Sequence, residues 1–182
     1  MNRENIYRIL FLMGIAFEVI GQLLLAQGND FVYSLRPIDF AHWSLLLGVV
    51  LMIPQVVSFP KSIYSSIGIP MVIIGIACII GMCVLDFIWW SLPGEAERIE
   101  FTRHISDVPS IWKPFIAIGP SSKIFNGGLF ILALNYIKQQ KVAVALIFLA
   151  TLILLQIIPL PFRLVFGYSL TLIGFSIIFV KN

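Results

Sequence analysis

Residues 67–90 read IGIPMVIIGIACIIGMCVLDFIWW, an unbroken apolar run whose one charged side chain, Asp86, stands near its end. As a helix this stretch is about 36 Å long, enough to cross the roughly 30 Å hydrocarbon core of a bilayer. Barrel strands would alternate apolar and polar residues, and this run does not. Five further runs have the same character: Tyr7–Ala26, Ala41–Phe59, Ser121–Ile137, Val142–Ile158 and Leu164–Val180. The chain of 182 residues is 59% hydrophobic and 12% charged. Soluble domains carry about 25% charged residues, so the composition excludes that class, and it is far too apolar for a disordered chain.

The expected fold is therefore an all-α integral membrane protein of six transmembrane helices forming a single domain over residues 1–182, with one long outer loop, 91–120, between spans three and four. Ordinary turn chemistry separates the runs: Gln27-Gly28-Asn29-Asp30, Pro60-Lys61-Ser62, the hairpin Lys138-Gln139-Gln140-Lys141, and Pro159-Leu160-Pro161. The first run is long for a signal-peptide core, carries Glu18 in its middle and ends without a small-x-small site, so it reads as a retained helix.

Lys and Arg set the orientation. Arg3, Arg8, Lys61, Lys138, Lys141 and Lys181 fall on the N-terminal side, and Arg36, Arg98, Arg103, Lys113, Lys123 and Arg163 on the other. Three of the second set lie in the long loop and Lys123 just past its end; the long loop weighs less, so the short segments favour cytoplasmic termini and a bacterial-type inner membrane. Trp43, Trp89, Trp90 and Trp112 map to the outer interface and Tyr7, Tyr64 and Tyr136 to the inner one.

In the outer loop, Gly94–Ile105 reads as a short helix with Glu100 placed to pair with Arg103 or His104. Val108–Gly119 is apolar but broken by Pro109 and Pro114, the signature of an interfacial or re-entrant segment, and Ser121 or Ser122 suits an N-cap for the fourth span. The loop reads either as a lid over a cavity or as a packed surface segment.

Ionisable groups at bilayer depth need partners or water, and two acids qualify, Glu18 and Asp86. Gln22 shares a helical face with Glu18, flanked by Gly14 and Gly21 that allow a close neighbour. Asn126, Asn135, Gln55 and Gln156 are further buried-polar candidates. No Lys or Arg lies deep enough in a span to serve as an ion partner, so Glu18 is read as neutral, hydrogen-bonded or reached by water. The candidate ligand-binding set is Glu18, Gln22, Asp86 and Asn126, with Arg103 and His104 at the outer loop and His42 near them.

Glu18 and Asp86 are thus expected on the wall of an outward-facing polar cavity that binds or translocates a small solute or ion. Two alternatives stand beside this reading. One is an accessory, sensing or assembly subunit docking through Trp112 and Arg103. The other is a membrane-embedded enzyme acting on a lipid-like substrate through Glu18, Asp86 and His104, the weakest of the three because no acid–base–nucleophile set is visible. The expected partners are the lipid bilayer, and a second copy or a membrane partner protein. No nucleic-acid partner is expected, because the net charge of +3 lies in loops and helix ends.

Cys78 and Cys83 read as small buried hydrophobes. No cofactor is expected, and His42, His104 and their acids are not spaced as a metal motif. Six spans with both ends inside match the topology of inverted-repeat transporters. A faint echo at a spacing of 113 links Gly14, Phe17 and Gln22 to Gly127, Phe130 and Asn135.

Overall fold

A computed structural model describes residues 2–118 and 123–180 and is all-helical over them. The long helices are α1 (Arg3–Leu25), α3 (Phe40–Val56), α4 (Ile63–Ser91), α7 (Lys123–Ala133), α8 (Lys141–Leu154) and α9 (Arg163–Val180). The others are α2 (Asn29–Ser34), the polar α5 (Glu95–Ser106) and α6 (Pro109–Ile111), the last continuing as a π-helical segment, Trp112–Ile118. A single 3-10 turn, Leu134–Tyr136, extends α7. Three helices, α1, α4 and α9, are long and apolar enough to cross a membrane, and α3 and α8 are shorter apolar helices.

The helix starts follow local chemistry. The side chains of Asn2, Asp39 and Ser62 accept hydrogen bonds from the backbone N–H of Asn5, His42 and Ser65 and so cap α1, α3 and α4. Helix α1 begins four residues before its apolar run because Asn2 caps it, and Arg8 bonds back along that first turn to Glu4, 2.5 Å. The expected N-cap at Ser121 or Ser122, and Lys181, lie outside the described residues.

Packing in space runs α1–α3–α4–α7–α8–α9 and back to α1, so the six long helices close a ring. The closest approach is between α1 and α3, where a Cβ on Gly14 would lie 2.5 Å from the Gly48 carbonyl oxygen. Small residues drive helix association where lipid leaves no hydrophobic gain between helices. The Gly127 counterpart in the 113-residue echo has only the Met71 methyl, 3.5 Å away, so the packing at these glycines does not repeat.

One end of the ring is plugged. Phe11 stacks edge-on with Phe175 at 4.9 Å and Phe179 at 5.5 Å, and Phe59 joins them from beyond α3. Arg8 lies over the Phe179 ring and donates to its carbonyl oxygen at 3.4 Å, closing the C-terminal end of α9. This is the terminal end. The opposite, cap end carries α2, α5 and α6.

The cap is fastened by cations on aromatic rings. The Tyr33 hydroxyl donates to the Leu92 carbonyl oxygen at 2.9 Å and accepts from Arg98 Nη1 at 2.5 Å and from Arg36. Arg98 also lies 5.3 Å from the Trp89 ring centre, and Arg36 the same distance from that of Trp90. The expected helix at Gly94–Ile105 forms as α5, but the arginine it uses is Arg98, and the Glu100 pairs with Arg103 and His104 are not made. The turn expected at Asn29-Asp30 is instead the start of α2, which follows Gly28, whose φ of 95° suits glycine.

Candidate functional site

Two layers of polar groups occupy the ring above the phenylalanine plug. The deeper layer holds Glu18 of α1, Asn126 of α7 and Tyr168 of α9, each buried at about 1% exposure. Glu18 sits against Gly48, where a Cβ would lie 2.9 Å from its Oε1. That oxygen has no hydrogen-bond partner, and neither do the Asn126 amide atoms nor Gln55 Oε1. Tyr168 lies beside Asn126 and within electrostatic reach of Glu18. Buried polar groups without partners are rare and costly.

The outer layer is a linked trio. Asp39 caps α3 by accepting from the His42 N–H at 3.1 Å, and its other oxygen meets His42 Nδ1 at 2.6 Å. His42 Nε2 lies 3.3 Å from Asp86 Oδ2 of α4. The imidazole therefore bridges two carboxylates and ties α3 to α4. The Nδ1 contact with Asp39 is a hydrogen bond, and the Nε2 contact with Asp86 is an ion-pair approach. Asp39 is buried and Asp86 keeps 30% of its side chain exposed, so the chain runs from interior to solvent. Cys83, one turn below Asp86, is within electrostatic reach of Glu18, Asp86 and Asp39 and stands between the two layers.

His42 and Asp86 form the floor of a cavity of about 260 Å³. Trp89 and Trp90 of α4 form one wall, and Phe101 and Ile105 of α5 roof it. Trp112 and Ile116 close the other side from the π-helical segment, which seats Phe115 over Gly81 of α4 at a distance only glycine allows. π-helical turns are uncommon and cluster at functional sites. The apolar, proline-broken segment expected at the interface is thus a wall of this cavity.

The sequence-derived site residues divide. Asp86 lines the cavity, whereas Glu18 lies behind it in the buried layer, because Gly48 lets α3 close over the carboxylate. The expectation that both acids share one wall is corrected accordingly. Asn126 joins Glu18 in the buried layer. Gln22 lines a separate hollow of about 310 Å³ beside Arg163. Arg103 and His104 are exposed on the face of α5 turned away from the cavity, which Phe101, Thr102 and Ile105 line.

Gln156 is not buried in a span: α8 stops at Leu154, and Gln156 is exposed with φ of 61°. Turned with its oxygen towards Arg163, its amide accepts from Nη2 at 2.9 Å and Nε at 3.0 Å. Asn135 lies at the terminal end, bonded to Ser62, Ser65 and the Leu132 carbonyl. Sequence reasoning missed Asp39 as a partner. The D-x-x-H spacing at a helix start was the available signal.

No family model, curated protein or solved structure matches the chain.

Proposed function

We propose that this is an integral membrane protein of six spans, with both termini cytoplasmic, that binds a small solute or ion in the cap-end cavity and passes it, or a proton, towards Glu18. The six long helices supply the spans, in a bacterial inner membrane by the balance of Lys and Arg in the short segments. The observation that carries the reading is the Asp39–His42–Asp86 chain on the cavity floor. Charged groups at membrane depth are expensive and mark ligand or proton pathways. The phenylalanine plug leaves the cap end as the side of entry.

A direct test replaces Ile116, on the cavity wall, with cysteine in a Cys78→Ala, Cys83→Ala background. A membrane-impermeant thiol reagent added outside is expected to label Ile116→Cys and to leave Phe175→Cys, inside the plug, untouched. Equal protection of both positions would end this reading.

The lipid bilayer is the proposed partner of the ring's outer surface, where Ile9, Met13, Ile20, Ile74 and Ile173 are exposed. A second copy or a membrane partner protein would have to cover these same faces.

A further inference from the structure

We propose that the ligand of the cap-end cavity is a small organic cation, an ammonium or methylated ammonium group seated against Asp86 among Trp89, Trp90 and Trp112. This deepens the proposed function and rests on it.

The charge balance comes first. Two carboxylates face one imidazole, so His42 can neutralise only one of Asp39 and Asp86. Asp39 is the buried one, with its second oxygen occupied by the His42 N–H. Asp86 is the half of the pair that reaches the cavity. None of the described lining residues is Lys or Arg, so His42, shared between two carboxylates, is the one basic group the described lining offers Asp86. Its setting leans the same way: Asn29–Asp39 and Asp86–Lys113 carry seven acids against four bases. An anion entering here meets Asp86, and the one basic side chain on the lining, His42, already faces two carboxylates.

The walls supply the second argument. Indole and benzene faces attract cations through their electron-rich centres, and quaternary ammonium groups are held this way in aromatic cages. Two rings of this cavity already hold cations: Arg36 and Arg98 lie 5.3 Å from the Trp90 and Trp89 centres. A bare metal ion fits less well, since no group of three His, Cys, Asp or Glu side chains converges among the described residues. At about 260 Å³ the cavity falls just below the roughly 300–1,000 Å³ of drug-sized sites, which fits a ligand of few heavy atoms. Thr102 and Asn29, also on the lining, offer hydrogen bonds to a polar tail.

The test uses purified full-length protein carrying Trp43→Phe, so that the remaining tryptophans are those of the cavity. Choline is titrated against its neutral carbon isostere, 3,3-dimethylbutan-1-ol, and against acetate, and binding is read by tryptophan fluorescence and calorimetry. Saturable choline binding is expected, with the isostere about tenfold weaker or worse. Asp86→Asn is expected to lose the preference and Asp86→Glu to keep it, which separates loss of charge from loss of fold.

Equal binding of choline and the isostere overturns the cation assignment while leaving a solute cavity. Preference for acetate overturns it as well. If none binds although Ile116→Cys is labelled from outside, the cation assignment fails and the cavity reading stands. If that labelling also fails, both fall.

Discussion

His42 offers each ring nitrogen to a carboxylate, and the two carboxylates belong to different helices. Replacing it with alanine leaves Asp39 facing Asp86 with nothing between them, so His42→Ala is expected to lose about 2 kcal/mol of stability, a hydrogen bond to a charged group being worth about 1.5–3. A thermal unfolding midpoint equal to that of wild type would contradict the bridge. The deeper layer makes a sharper claim. Glu18 Oε1 and the Asn126 amide atoms make no hydrogen bond of good geometry within the protein. If they serve ligand or proton passage, Glu18→Gln folds normally but abolishes ligand-linked proton uptake in proteoliposomes; unchanged uptake would exclude Glu18 from the pathway. At this scale the sequence was legible where an acid interrupts an apolar run, as with Glu18 and Asp86. It was silent about His42 meeting Asp86, because a contact between helices distant in the chain leaves no spacing to read.

Packing of elements depends on a few positions where backbones touch. A methyl group on Gly48 would press on both the Gly14 carbonyl oxygen, 2.8 Å away, and Glu18 Oε1. Gly48→Ala is therefore expected to destabilise the α1–α3 pair by about 1–3 kcal/mol, while Gly127→Ala, whose methyl would make only ordinary contact with the Met71 methyl at 3.5 Å, is neutral. Equal melting points for the two variants would contradict the register of these helices. The cap relies on the planar Arg98 guanidinium, which stacks on Tyr33 and Trp89 while donating to Tyr33 and the Leu92 carbonyl oxygen. An ammonium cannot do both, so Arg98→Lys is expected to speed hydrogen exchange in α5 and leave α8 and α9 unchanged. The apolar runs of the sequence located every long helix, with ends shifted by a few residues through caps such as Asn2 and Ser62. The sequence did not foretell α2, since Gly28 and Asn29 look like a plain turn, nor the π-helical wall, whose two prolines read only as breaks.

Across the whole molecule, the ring of six helices is shut by phenylalanines at the terminal end and roofed by α5 at the cap end, with both polar layers between. Composition announced the apolar exterior, but closure of the ring comes from which helices neighbour which, and hydropathy carries no such information. The proposed function requires the cap-end cavity to be water-filled and acidic. The measurement that reaches it most directly is collisional quenching of Trp89, Trp90 and Trp112 in the Trp43→Phe protein. Neutral acrylamide and caesium ions are expected to quench strongly and iodide weakly, with the caesium preference lost in Asp86→Asn. Tryptophans shielded from acrylamide, or quenched better by iodide than by caesium, would contradict it.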